Sequence, residues 1–222
     1  GSFKNREDTR AYITNQGSNK LDVIDLRIKK KIGEINVGED PAGIFIDKQN
    51  KIIYVSNPSS HNISKINISK HSHEFIPGGK SPMSMYFSKS NNFLLVTNWY
   101  DNEVSAIDVN SKKIIKKIPV GKSPAGIFID ENKELAFVAN RDDNTISVLD
   151  LNDLLEIKTI AVEKAPYGIF SDESIDLIFV TNVQSSSISL ISKKSLEVIE
   201  HIKVGKWPYQ VAFEKNKKLL CF

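Results

Sequence analysis

The chain has 222 residues, 40% of them apolar and 26% charged, which suits a soluble folded protein and excludes a disordered polar chain. Its 30 basic and 27 acidic side chains leave a formal charge of +3, too small an excess to establish an acidic partner. No stretch approaches the roughly 18 continuous apolar residues of a membrane span, and the single cysteine, Cys221, excludes an intrachain disulfide.

The opening residues, GSFKNREDTR, lack the apolar centre of a signal peptide. They align with the segment starting at Gly43, placing Phe3 on Phe45, and read as part of a strand. YITN follows, ending at Asn15. The same element returns as YVSN, LVTN, FVAN and FVTN, ending at Asn57, Asn98, Asn140 and Asn182, with successive spacings of 42, 41, 42 and 42. A proline before a short apolar run recurs at Pro41, Pro82, Pro124, Pro166 and Pro208, with spacings of 41, 42, 42 and 42. Two independent registers agreeing over the whole chain identify an internal repeat.

One unit runs from Pro124 to Val162. AGIFID, LAFVAN, TISVLDL and EIKTIAV read as four strands, joined by the polar segments ENKE, RDDN and NDLL. The apolar period is two, which excludes a two-helix repeat. A four-stranded unit cannot bury both of its faces alone, whereas radial stacking of such units can. The predicted fold is therefore an all-β β-propeller, a single domain over 1–222 with five repeats of about 42 residues, and Gly126 is expected at a crowded place near the axis. Phe222 aligns with Val180, inside a second strand, so both ends fall in mid-blade. The expectation is a segment of a longer propeller. The alternative is a five-bladed ring closed by the last strand one beside the first blade, with 218–222 displaced.

On YVSN, LVTN and FVTN, and on runs such as NTISVLDL and IPVGKSPAGIFID, the chain resembles the YVTN-repeat β-propellers, a family related to surface-layer repeat proteins, the d1-haem domain of cytochrome cd1 nitrite reductase and lactonase-type propellers. The resemblance implies a ring that is usually seven-bladed and a location outside the cytoplasm: periplasm, cell surface or secreted. One branch, the YncE-like proteins, is associated with single-stranded DNA. A shared fold does not transfer an activity.

Asn15, Asn57, Asn98, Asn140 and Asn182 recur once per blade and are expected to cap the turn after strand two. Asn19, Asn62, Asn102 and Asn144 are assigned a similar role. Asp25, Asp108 and Asp150 end strand three and should bind the amides of the next turn. His71 and His73 have same-side spacing, but no third ligand accompanies them, so no metal is expected. Cys221 reads as an inert core residue. Motifs for zinc hydrolysis, a nucleophile elbow or a phosphate loop are missing, and no cofactor is implied.

Departures from the repeat mark a candidate face. The loop from strand four to the next strand one reads GEDP, GGKSP, GKSP, EKAP and GKWP. It carries Lys80, Lys122, Lys164 and Lys206, with Glu39 in the remaining blade. The loop between strands two and three shares that face and adds Trp99, Tyr100, Asp101 and Arg141, while Trp207, Tyr167 and Tyr209 flank strand one. Converging lysines would attract an anion, and flat rings would stack on bases or sugars. The opposite face has basic turns at Arg27 and Lys29–Lys31, at Lys112 and Lys113, and at Lys193 and Lys194, read as solubilising loops. The leading expectation is a non-enzymatic recognition or scaffold domain for an anionic polymer or a protein, single-stranded nucleic acid included. A structural cell-envelope domain is the first alternative. A lactonase-like or haem-bearing enzyme is the second, and it lacks a visible acid–base cluster or axial ligand.

Overall fold

The computed structural model describes residues 9–172, 175–213 and 219–221. Among them every regular element is a strand except one 3-10 turn at Gln16–Ser18. Among the described residues, no helix is long and apolar enough to cross a membrane.

Strands β1 (Arg10–Asn15), β2 (Lys20–Asp25) and β3 (Lys30–Asn36) form a three-stranded sheet. Four complete four-stranded sheets follow: β4–β7 (Ile44–Asp47, Ile52–Asn57, Asn62–Asn67, Ser72–Pro77), β8–β11 (Pro82–Ser88, Phe93–Asn98, Glu103–Asp108, Lys113–Pro119), β12–β15 (Pro124–Asp130, Leu135–Asn140, Thr145–Asp150, Leu155–Ala161) and β16–β19 (Pro166–Ser171, Leu177–Asn182, Ser187–Ser192, Glu197–Lys203). β20 (Val211–Phe213) and β21 (Leu219–Cys221) form a two-stranded sheet. Each sheet is an antiparallel meander in chain order, as in β12–β15, where Phe137 opposes Phe128 on one side and Val148 on the other.

The repeat was read as five blades. Its strands are distributed as four whole sheets flanked by two partial ones, because the strand one expected at the start falls in residues 1–8, outside the described residues. In the closed alternative the last strand one lies beside β1. Here β20 pairs only with β21, and the arc is open among the described residues. Cys221 lies on β21, and its side chain is outside the described residues.

Among the described residues, strand one of a blade packs on strand one of its neighbours, as β12 does between β8 and β16. The core is consequently a series of layers between blades. Leu95, Val104 and Ala106 of one sheet meet Ile127, Ile129, Ala136 and Val138 of the next. Tyr54 and Ile63 meet Met85, Leu94 and Val96, and Phe137 and Val148 meet Ile178 and Val180. Burying such a side chain contributes about 1.5–3 kcal/mol, so each joint between blades is held mainly by apolar contact.

A second set of contacts explains the repeated letters. The third residue of the four-residue element is Thr14, Ser56, Thr97 or Thr181 in four blades. Its hydroxyl donates to a strand-one carbonyl of the following blade: Thr14 to Ala42 (3.1 Å), Ser56 to Met83 (2.7 Å), Thr97 to Ala125 (2.8 Å) and Thr181 to Tyr209 (3.1 Å). The same oxygens of Ser56, Thr97 and Thr181 accept from the N–H of Gly43, Ser84 and Gly168 at 2.8–3.0 Å. That N–H is left over by the irregular start of strand one, where the ladder skips from Pro82 to Met85 and from Pro166 to Ile169. The remaining blade has Ala139 at this place.

Gly126 occupies the crowded position expected of it. A Cβ there would stand 2.3 Å from the Tyr167 carbonyl oxygen, and one on Gly43 or Gly168 would meet Met83 or Tyr209 in the same way.

Candidate ligand-binding face

The loops entering strand one and the loops between strands two and three lie together. The Trp99 N–H donates to the Ser81 carbonyl at 3.0 Å, the Arg141 N–H to Ser123 at 3.1 Å and the Val183 N–H to Ala165 at 2.9 Å. Three of the lysine-bearing loops, and the Glu39 loop, are also gripped by a side chain from the partner loop. The Lys80 N–H donates to Asp101 (2.9 Å), that of Lys122 to Asp143 (2.7 Å), that of Lys164 to Ser185 (2.9 Å) and that of Glu39 to Ser60 (2.7 Å).

The preceding blade supplies another lock. The Oδ1 atoms of Asn19, Asn102 and Asn144 accept from the N–H of Asp40, Ser123 and Ala165 at 2.9–3.1 Å. His61 performs this task in its blade, its Nδ1 accepting from the Ser81 N–H at 3.2 Å. The register therefore assigns His61, not Asn62, to the asparagine position. The residue before each repeated proline, which receives this lock at Asp40, Ser81, Ser123 and Ala165, is left-handed, with φ from 52° to 58° at those four and at Trp207. The exposed Trp207 thus has a backbone conformation set by the repeat.

The asparagines ending strand two act differently from the expected turn caps. Asn57, Asn98, Asn140 and Asn182 are fully buried. Their Nδ2 atoms donate to strand three, to Ser64, Ser105, Ser147 and Ser189 at 2.8–3.1 Å. The Asn98 Oδ1 accepts from the Gly79 N–H at 3.0 Å. The lysine loop crosses directly over this amide, so a Cβ on Gly38, Gly79 or Gly121 would collide with the asparagine beneath it. These residues are architecture, buried below the face that bears the candidate site. By contrast, Asp25, Asp108 and Asp150 bind the amides two and three residues on, as expected.

On the face itself, two pairs of side chains each bridge adjoining blades. The Arg141 guanidinium lies 5.9 Å from the Trp99 ring centroid. The Tyr167 hydroxyl pKa is raised by burial and then by Tyr209, with the Arg141 charge opposing that rise. Tyr167 meets Tyr209 edge to face, with ring centroids 5.4 Å apart. Tyr100 and Trp207 stand out into solvent at 72% and 69% exposure. Lys80, Lys122, Lys164 and Lys206 are all exposed around the pairs.

The charge of the face is mixed, not uniformly positive as the lysines alone suggest. The Asp101 carboxylate lies 3.8 Å from the Lys80 ammonium, and Asp142 pairs with Arg141 at 2.7 Å. A hydrogen bond from Ser123, then the one from Arg141, holds the Asp142 carboxyl below its ordinary range. Glu163 takes the place of the loop glycine beside Lys164 and is bonded to Ser187 and Lys203. Uniform attraction of anions is thus weaker than the lysines imply, and the ring surface gains importance.

The opposite face contains one clear departure from expectation. Lys193 was read as a solvated turn residue, but it is 4% exposed. Its ammonium pairs with Asp130 at 3.1 Å, donates to the Asp172 carbonyl at 3.0 Å and lies 5.6 Å from the Phe128 ring centroid. Its place in the repeat is that of the buried Val109 and Leu151, which is the signal that could have found it. Arg27, Lys31 and Lys112 are also engaged, with Asp25, with Asp22 and Glu34, and with Glu74 respectively.

Among solved structures, the chain is similar to Kuenenia stuttgartiensis hydrazine synthase, with a TM-score of 0.75 and 22% identity over 84% of this chain and 58% of that one. It is also similar to a functionally unknown protein from Desulfotomaculum acetoxidans DSM 771, with a TM-score of 0.83 and 13% identity over 96% of this chain and 72% of that one. At these identities the likeness shows the fold alone, and the chain spans little more than half of the hydrazine synthase chain. No curated protein matches the sequence. The chain is a β-propeller, and over residues 45–135 it is similar to the family model of YNCE-like β-propellers.

Proposed function

We propose that this propeller is a non-enzymatic recognition scaffold that holds an extended, ring-bearing polymer on its lysine and aromatic loop face. The observation that carries the reading is two ring pairs, Trp99 with Arg141 and Tyr167 with Tyr209, each bridging adjoining blades and together spanning four. Their members present flat surfaces at successive places, as stacking on the rings of one strand requires. The exposed lysines beside the pairs suit intermittent anionic groups, while Asp101, Asp142 and Asp143 between them disfavour a dense polyanion without rings. Single-stranded nucleic acid meets both demands, and an extracytoplasmic location belongs to the same proposal.

The test is a titration with a labelled single-stranded oligonucleotide, an acidic polysaccharide and an uncharged glucan at two salt concentrations. Saturable binding that prefers the oligonucleotide and weakens with salt is expected. Trp99→Ala should weaken it by about 1–3 kcal/mol, the worth of one base stacked on an aromatic ring. Reversing Lys80 and Lys122 to Glu should reduce both affinity and salt dependence. Equal binding to both polyanions, or binding indifferent to Trp99, would reject stacking recognition on this face.

A further inference from the structure

The joint between the first two sheets opens into a cavity of about 310 Å³ at the end of β1 away from the loop face. We propose that it binds a small carboxylic acid whose apolar body enters between the blades and whose carboxylate meets Arg10.

The gap follows from the repeat. Arg10 stands five residues before Asn15, the place that Ile52 and Phe93 hold before Asn57 and Asn98. Ile52 packs against the core of the second joint, and Phe93 is buried in that of the third. His73 likewise holds the register of Ile114, which packs against the core of the second joint. Arg10 and His73 are exposed at the mouth of the cavity, so the apolar fillers of the later joints are missing from this one. The walls behind them are Tyr12, Val23 and Ile35 from the first sheet and Ile66 and Ile68 from the second. The volume is at the small end of the roughly 300–1,000 Å³ usual for small-molecule sites, which keeps the apolar body small.

The mouth is cationic by direct count. Among the described residues that line the cavity there is no carboxylate, while Arg10, His71 and His73 are present. The carboxylates nearest in register are Asp25, opposite Arg10 on β2, and Glu74, which follows His73. Each already has a cationic partner: Asp25 takes Arg27 at 3.1 Å, and Glu74 takes both Lys65 and Lys112. Arg10 forms no ion pair among the described residues. Its planar guanidinium carries paired N–H donors that match the two oxygens of a carboxylate. Partial burial lowers the His73 pKa, so that ring is neutral at pH 7 and adds a hydrogen-bonding edge without charge. Phe75 supports it, with ring centroids 4.7 Å apart.

Calorimetric titration of the full chain with 2-naphthoate, and with 2-naphthamide as its uncharged match, tests the site. One saturable naphthoate site is expected, with the amide bound about tenfold or more weakly. Arg10→Gln, at an exposed position, should weaken naphthoate about tenfold or more and leave the amide nearly unchanged. The imidazole resonances of His71 and His73 should shift as the site fills. Circular dichroism of the variant establishes that the fold is retained, and Trp99→Ala on the loop face should leave naphthoate affinity unchanged. Absence of saturable naphthoate binding, equal affinity for acid and amide, or binding indifferent to Arg10→Gln would overturn the assignment. Unshifted His71 and His73 resonances, or naphthoate binding lost in Trp99→Ala, would overturn it as well, whatever the outcome with oligonucleotide.

Discussion

Ala139 offers a sharp test of the joint between blades. At the equivalent place, Ser56 accepts from the Gly43 N–H at 2.8 Å and donates to the Met83 carbonyl at 2.7 Å. Thr97 and Thr181 make the same two bonds. The counterparts for residue 139 are the Gly126 N–H and the Tyr167 carbonyl, and Ala139 has no hydroxyl for either. The receiving geometry is already in place, because the Tyr167 carbonyl oxygen lies 2.3 Å from a Cβ built on Gly126, just as the Met83 oxygen lies 2.3 Å from one built on Gly43. Ala139→Ser should therefore add two hydrogen bonds. Their net worth is about 1 kcal/mol each, less the cost of burying and fixing the hydroxyl, which leaves about 1 kcal/mol of stabilisation. For a chain of this size that is a rise of roughly 2–4 °C in Tm. Thr97→Val, which leaves the Ser84 N–H and the Ala125 carbonyl without that partner, should destabilise by about 1–3 kcal/mol. Thermal unfolding of both variants, with amide exchange of Gly126 in Ala139→Ser, makes the check. An unchanged or lowered Tm together with an unprotected Gly126 amide would show that the hydroxyl does not staple the blades.

Three further outcomes follow from the same contacts. Gly121→Ala should lower Tm markedly because the new Cβ would lie 2.7 Å from Asn140 side-chain atoms, whereas Gly17→Ala, with nothing within 4 Å, should leave it nearly unchanged; paired thermal melts decide this. Lys193→Ala should cost about 3–5 kcal/mol in denaturant unfolding by leaving Asp130 buried without its partner, while Lys193→Met with Asp130→Asn should recover much of that loss. The pKa values of the Asp25 and Asp108 carboxyls are lowered in the fold, by the Arg27 side chain and then backbone for Asp25, and by the Asn110 and Ser111 backbone for Asp108. Their contribution to stability is thus present above the ordinary value of 3.8 and lost as pH falls through the lowered folded values; unfolding midpoints measured from pH 6 downward should decline in that acid range, and a midpoint independent of pH there would contradict it.

Much of the architecture is legible because position in the repeat becomes position in space. Asn98 and Asn140 hold the same place in adjoining blades, so the residues that follow them, Trp99 and Arg141, become neighbours. Tyr167 and Tyr209 each follow a repeated proline and meet for the same reason. Lys193 shows how the same register can be overlooked when a residue is judged by its type: a lysine beside a second lysine suggests water, yet its place belongs to the core. The charge of the loop face was harder to read. Asp101 and Asp143 each lie 21 residues from the lysine whose N–H they hold, and their effect depends on two loops closing on one another. Local loop composition registers the cations and even Asp101, but not which carboxylates fold against which lysine loop. The proposed recognition therefore rests more on the ring pairs than on charge, and replacing Trp99 while keeping every lysine is the experiment that separates the two.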